Sequence, residues 1–454
     1  MITTVSPTDG RRLADYPETS PDEVRRHIDA AARLQAEWAA VPIAERVVPM
    51  LRMADLLEAS RDDLAALMAD EMGKPVSQGR AEVDKCAWVC RHYAEHAAGI
   101  LADRPVVTER AASYVAYRPL GVVLAVMPWN YPLWQVYRFL APALMAGNGG
   151  VLKHASAVTG SGLAVDDIVV RAGFPDGLFR TLVLPSSRVG EALEHPSIVA
   201  ATLTGSEAAG RAVAAAAGAI GKKTVLELGG SDPYLVLADA DLSAAASGCS
   251  AARLINSGQS CIAAKRFIVE RPVLDEFTDL LAAELAEAVV GDPHDPATTV
   301  GPMARPDLRD ELHRQVVGSA DAGARLVMGG EIPSGAGAFY PVTLLTGVGP
   351  GMPAYHEETF GPVATIIPAN DLDDAVRIAN DTEFGLGAAV FTSDVEVGQR
   401  VARDLLQAGA CFVNSAVVSD PRLPFGGIKA SGFGRELSDY GMLEFVNIKT
   451  VVVA

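Results

Sequence analysis

Apolar residues recur at helical spacing from residue 21 to about residue 101, and the rhythm then changes. Ser20-Pro21-Asp22-Glu23 supplies a capping serine, a proline at the first helical position and a glutamate that closes a capping box, so a helix is predicted to start there. Residues 113–118 alternate as a strand does, and residues 121–127 form a continuous apolar run, the mark of a strand buried on both faces. Further short apolar runs at 150–153, 181–184, 199–203 and 224–228 are separated by helical segments, which predicts a parallel sheet covered on both sides. A second alternating series spans about 234–420, punctuated by Gly291-Asp292-Pro293, Gly329-Gly330 and Gly361-Pro362, and predicts a second α/β domain. No repeat or low-complexity linker separates the two, so they should pack closely around a shared cleft. Residues 447–453 read as an edge strand, which is normally paired.

A chain of 454 residues, 49% hydrophobic and 21% charged, is too long for one core and suits a protein of two or three domains. The net charge of -18 argues against nucleic acid or an anionic membrane surface as partner. Five cysteines, an odd number, argue against a disulfide framework and for a reducing, cytoplasmic compartment. The first residues lack a basic stretch followed by an apolar core, so no secretory leader is expected. No apolar run approaches the roughly 20 residues of a membrane span. Cys86, Cys90, His92 and His96 have suggestive spacing, but Tyr93 stands where a zinc-protease motif needs Glu, and no metal site is expected. Neither a Gly-x-Gly-x-x-Gly turn after a strand nor a P-loop occurs.

Chemistry points first to Cys261, within Asn256-Ser257-Gly258-Gln259-Ser260-Cys261. A cysteine taken alone is more often a small buried hydrophobe than a nucleophile. Its flanking residues nonetheless suggest the polar, partly open setting in which a thiolate attacks an electrophilic carbon. Asn130, between Trp129 and Tyr131 at the end of the doubly buried strand, either serves a turn or donates to a developing oxyanion. Glu227, in Leu226-Glu227-Leu228-Gly229-Gly230, is either a salt-bridged structural carboxylate or a base whose pKa is raised by burial. Thr204-Gly205-Ser206-Glu207 starts a helix straight after a strand, where free N–H groups can hold a phosphate or merely turn the chain.

In order, Pro-Trp-Asn-Tyr-Pro, Thr-Gly-Ser, Glu-Leu-Gly-Gly, Gly-Gln-Ser-Cys, Glu358-Thr359-Phe360-Gly361-Pro362 and Pro424-Phe425-Gly426-Gly427 resemble the aldehyde dehydrogenase superfamily over essentially the whole chain. The resemblance implies an α/β fold with a Rossmann-like cofactor domain (1–103 and 120–228, with 423–446 returning to it). It also implies a catalytic domain (229–422) and oligomerisation strands (104–119 and 447–454). It assigns Cys261 as nucleophile, Glu227 as base, and Asn130 with the Cys261 N–H as oxyanion hole. Trp129, Lys153, Ser156, Gly205, Ser206, Leu228, Glu358 and Phe360 would line a site for NADP or NAD. Ser156 stands where many NAD-preferring relatives carry a Glu that repels a 2'-phosphate, so NADP should be tolerated or preferred.

Lys153-His154-Ala155-Ser156, 227–233 and 432–437 are similar to the short bacterial succinate-semialdehyde dehydrogenases. There an Arg at the position of Arg138 binds the substrate's distal carboxylate, with Trp134 nearby; the alternative is an Arg paired with a structural carboxylate. A second Arg found in some members is Ile255 here, and Arg422 is the candidate replacement. Phe139 and Asn447 stand where many relatives have a Lys and a Glu tied to proton relay, which implies a different water route. The expected reaction is NAD(P)-dependent oxidation of succinic semialdehyde or a similar short carboxylated aldehyde. The alternatives are a non-carboxylated aldehyde, a CoA-acylating enzyme, or a non-catalytic binding protein. By the same resemblance, the C-terminal strand pairs with another subunit in a homodimer or homotetramer.

Overall fold

The computed structural model describes all 454 residues. Ser20 caps the helix Pro21–Ala40: its hydroxyl accepts from the Glu23 N–H, and the Glu23 carboxylate accepts from the Ser20 N–H. The helices Ile43–Ala59, Arg61–Met72 and Val76–Ile100 complete the helical block that the periodicity predicts. Ahead of it, Ile2–Val5 and Arg12–Tyr16 pair as an antiparallel hairpin, too short to leave a periodic signal.

The first sheet has six strands in the order Gly432–Phe433, Lys223–Glu227, Ile198–Thr204, Val122–Met127, Gly149–His154, Phe179–Thr181. All are parallel except Gly432–Phe433, an antiparallel edge formed as the chain returns from the second sheet. Apolar clusters cover both faces, one including Val123 and Ala125, the other Val122 and Leu124, as strict alternation in a buried strand requires. The strand expected at 181–184 lies instead at Phe179–Thr181, with Leu182 making one further bond to Leu152. Leu182 and Leu184 are buried but have largely left the ladder, because an apolar run reports burial and not pairing.

The second sheet has seven strands, Arg325–Met328 through Ala410–Val413, parallel except for the edge strand Arg325–Met328. A third, antiparallel sheet pairs Val446–Val453 along its length with Ala112–Pro119, leaving the other side of Val446–Val453 without a partner strand. No helix is long and apolar enough to cross a membrane. Asn148 ties this last segment to the first sheet: its Oδ1 accepts from the Gly121 N–H (3.0 Å) and its Nδ2 donates to the Phe445 carbonyl (2.9 Å), both in fully buried surroundings. Asn148→Ala leaves a buried donor and a buried acceptor unpaired and should cost roughly 2 kcal/mol or more. A lowered melting temperature in calorimetry is the expected outcome, and an unchanged one would contradict this role.

Candidate active site

The helix Leu242–Leu254, capped by Asp241, ends in a stretch of left-handed backbone: Asn256 (φ 54°), Ser257 (φ 55°) and Gly258 (φ 73°). Two non-glycine residues in this region cost on the order of 1–3 kcal/mol each and persist only when their surroundings hold them. Here the surroundings do. Arg253, fully buried, donates to the Gly258 and Ala264 carbonyls (2.6 and 2.9 Å), and Gln78 Oε1 accepts from the Asn256 N–H (2.6 Å). Ser257 Oγ accepts from the Gly301 N–H (2.9 Å), and Asn256 Nδ2 donates to the Asn130 and Gln259 carbonyls (2.8 and 2.9 Å). A Cβ at Gly258 would fall 2.2 Å from the Gly361 carbonyl oxygen, so glycine alone allows this loop to lie against the Glu358–Pro362 segment.

The loop delivers Cys261 to a wall between two cavities, one of ≈ 1010 Å³ and one of ≈ 190 Å³, and the cysteine borders both. Gln135 is the other residue that does so. Lys265, itself buried, donates to the Ser260 and Cys261 carbonyls (3.0 and 2.7 Å) and pairs with Glu358 (3.2 Å). The setting is less open than the flanking residues suggest: Ser257, Gly258, Gln259 and Ser260 are all buried, and Ser257 and Gln259 use their side chains to hold backbone. Burial pushes the Cys261 thiol up to about 12, against the pull of the Lys265 and Arg138 cations.

Asn130 borders the larger cavity beside Cys261, and its Nδ2 donates to the Gln259 carbonyl (3.1 Å), which leaves a second N–H on the same nitrogen. Glu227 ends the strand Lys223–Glu227, but its carboxylate borders neither cavity. It turns into the interior, where Oε1 lies 2.6 Å from the position a Gly426 Cβ would take, and neither oxygen has a hydrogen-bond partner. Burial holds its pKa well above the carboxylate range, opposed by Arg138 and reinforced by Glu436.

Trp129, Lys153, Ser156, Gly205, Ser206, Leu228, Glu358 and Phe360 all border the larger cavity. Ser206 caps the helix Glu207–Ala219, as its position after a strand predicts. The Trp129 and Phe360 rings meet edge to face, with centroids 5.7 Å apart. Glu358 accepts from the Gly230 N–H (3.1 Å), and its Oε2 lies 2.6 Å from where a Gly229 Cβ would stand. Lys153 hydrogen-bonds Ser186 Oγ (3.1 Å) and has no carboxylate partner.

Of the three residues expected at the substrate, Trp134 and Arg138 border the smaller cavity, as does Ile255. Arg138 is fully buried and forms an ion pair with Glu436, lies 4.8 Å from the Phe425 ring centre, and reaches Thr204 Oγ1 (3.3 Å). It is the Arg with a structural counter-ion, so its charge is already matched. Arg422 is not in the cavity. It is exposed, held by Asp420 two residues earlier (2.9 and 2.6 Å), and stacked 5.6 Å over Trp88. From the same loop, Val418 and Ser419 reach the cavity wall. Sequence reasoning did not single out Lys85, Arg253 or Lys265. For Arg253 a signal existed: it is the one cation in the alanine-rich stretch 242–255, whereas Lys265 stands beside Arg266 and is not singled out. Cys86 and Cys90 pack in the core, while the His92 and His96 rings meet at a tilt of 57° with centroids 4.6 Å apart.

The sequence profile of the aldehyde dehydrogenase family matches residues 1–451, and the chain belongs to that family. Within it, the chain is 49% identical, over the full length of both, to a probable succinate-semialdehyde dehydrogenase (NADP+) of Synechocystis. The same identity, again over the full length of both, relates it to succinate-semialdehyde dehydrogenase (NADP+) 1 of Mycobacterium tuberculosis. The solved succinic semialdehyde dehydrogenase of Streptococcus pyogenes in complex with NADP+ superimposes with a TM-score of 0.97 at 35% identity, covering all of both chains. A lactaldehyde dehydrogenase structure does so with a TM-score of 0.96 at 30% identity, covering 100% of this chain and 95% of that one. The fold is therefore common to enzymes of different substrates, and the cavity walls must carry the specificity.

With its thiol raised, Cys261 in the cofactor-free protein is expected to react slowly with iodoacetamide at pH 7. The rate should climb about tenfold per pH unit between pH 7 and 9, because only the thiolate attacks. Peptide mapping of the modified cysteine checks this, and a rate that levels off below pH 9 would contradict it.

Proposed function

We propose that the protein oxidises succinic semialdehyde, or a closely similar short carboxylated aldehyde, to the acid with NADP+. The observation that carries this reading is the position of Cys261 on the wall shared by a large cleft and a small cavity, so that one sulfur meets cofactor on one side and aldehyde on the other. The thiolate adds to the aldehyde carbon, and the oxyanion accepts hydrogen bonds from Asn130 Nδ2 and the Cys261 N–H. When bound, the oxidised nicotinamide accepts hydride from that carbon. Glu227 then takes a proton from the water that cleaves the Cys261 thioester. For this its side chain turns out of the space left by Gly426, a movement that an unpaired carboxyl with no hydrogen bond to break can make.

The large cleft fits a dinucleotide that carries an extra phosphate. The capped start of Glu207–Ala219 offers the backbone N–H groups of its first turn, the Gly205 N–H being taken by the Glu227 carbonyl (3.0 Å), and Lys153 has a hydroxyl but no carboxylate beside it. Ser156 removes the carboxylate that would repel a 2'-phosphate. The small cavity, ≈ 190 Å³, is below the roughly 300–1,000 Å³ of sites for drug-sized ligands, which favours a short substrate. The relatives named as NADP+-dependent succinate-semialdehyde dehydrogenases support both choices. In this reading 1–103, 120–228 and 423–446 carry the cofactor, and 229–422 carry the nucleophile. The strands within 104–119 and 447–454 join copies into a homodimer or homotetramer in the cytoplasm.

Initial rates test the reading. The expected outcome is a kcat/KM for succinic semialdehyde at least roughly tenfold above benzaldehyde, and a higher value with NADP+ than with NAD+. Ser156→Glu should raise the KM for NADP+ by roughly tenfold or more while leaving that for NAD+ little changed. Equal efficiency on the two aldehydes would contradict the substrate, and an unchanged NADP+ KM in the variant would contradict the cofactor argument.

A further inference from the structure

The small cavity is bordered by three cations, and two of them are already neutralised. Lys74, fully buried, is paired with Glu82, whose Oε1 also accepts from the Leu133 and Trp134 N–H groups (2.9 Å each). Arg138 is paired with Glu436. The third, Lys85 on the helix Val76–Ile100, has no carboxylate partner. Its Nζ donates to Ser419 Oγ (2.7 Å) and sits 4.4 Å from the centre of the Trp134 ring. An ammonium carries three donors, so two remain beyond the one given to Ser419.

We propose that Lys85, with Ser419 beside it, receives the distal carboxylate of the aldehyde and so determines specificity. The proposal rests on the reading that the substrate is a short carboxylated aldehyde, and it names the residue that recognises it. With Lys74 and Arg138 matched by their own carboxylates, the cavity keeps the single positive charge of Lys85, which a monoanionic substrate balances. A cation withdrawn from water without a counter-ion is unfavourable, and a carboxylate arriving with the substrate relieves it. The same stress is visible in Lys85 itself: burial, then repulsion from Arg138, bring its pKa down to about 8. The large cleft is built alike, with Lys153 held by a serine hydroxyl at 3.1 Å and no acid. Each side of Cys261 therefore presents one unmatched lysine with a hydroxyl partner. Arg422, solvent-exposed and already bound by Asp420, and Arg138, already bound by Glu436, are not needed for this contact.

The test compares succinic semialdehyde with butanal, which has the same carbon count and no carboxylate, in the full-length protein and in Lys85→Met and Lys85→Arg. Lys85→Met should raise the KM for succinic semialdehyde roughly ten- to hundredfold, the loss expected for a hydrogen bond to a charged group, with kcat little changed. Its KM for butanal should stay the same or fall, and Lys85→Arg should recover part of the loss. Unchanged NADP+ binding, read by fluorescence quenching, shows that the variant is folded; if Lys85→Met fails it, Ser419→Ala and Lys85→Arg carry the comparison. If the unsubstituted protein prefers succinic semialdehyde and Lys85→Met keeps that preference, the assignment of Lys85 is overturned while the substrate reading stands. If the unsubstituted protein shows no preference for the carboxylated aldehyde, the substrate reading fails and the proposal fails with it.

Discussion

The site depends on one constraint: three consecutive residues, Asn256 to Gly258, are held in left-handed backbone by buried cations and amides. Arg253 pulls the loop from beneath through the Gly258 carbonyl, and Lys265 holds it at the far end through the carbonyls of Ser260 and Cys261. Neither cation is there for charge pairing alone. Each satisfies backbone oxygens that the irregular loop cannot satisfy within itself, the condition for burying such a segment at all. Because Lys265 also meets Glu358, the Cys261 loop and the cleft wall are joined through one side chain.

That clamp explains the electrostatics of the site. It sets the backbone of Cys261 while the side chain stays half-buried on both cavity walls; burial raises the thiol, and Lys265, part of the clamp, pulls it the other way. Glu227 follows the same logic from the opposite side. Its carboxyl lies among Arg138, Glu436 and the space over Gly426, buried and without hydrogen bonds. A carboxyl kept buried and apart from Cys261 is compatible with the proposed two-stage reaction, in which water activation is wanted only after the acyl group is on sulfur.

Much of this was legible in the sequence, for reasons that differ by element. The capping box at Ser20 and the doubly buried strand Val122–Met127 are local signals, so they appear as expected. All eight residues expected in the cofactor cleft border it, six because they sit at strand ends and helix starts whose order in the chain fixes their place in the sheet, and Glu358 and Phe360 from the loop ahead of the strand Val363–Ala369. The substrate side was harder. Arg138 faces the cavity, but its partner Glu436 is 298 positions away in sequence and joins it only when the chain returns to the first sheet. Arg422 lies outside the cavity, on the exposed side of its loop, where Asp420 two residues away holds it. Lys85 gives no sign at all: it is the one lysine of its helix, flanked by Glu82 and Asp84, and nothing but the tertiary structure says that it meets neither carboxylate and faces the cavity.

The central claim is that Cys261, and no other thiol, carries the acyl group between the two cavities. The most direct measurement is peptide mass spectrometry of Glu227→Gln after mixing with succinic semialdehyde and NADP+. The account predicts one turnover's worth of NADPH, with the mass of one succinyl group added to the peptide containing Cys261 and none to that containing Cys411. NADPH formed without any adduct on Cys261, or an adduct on another cysteine, would contradict it.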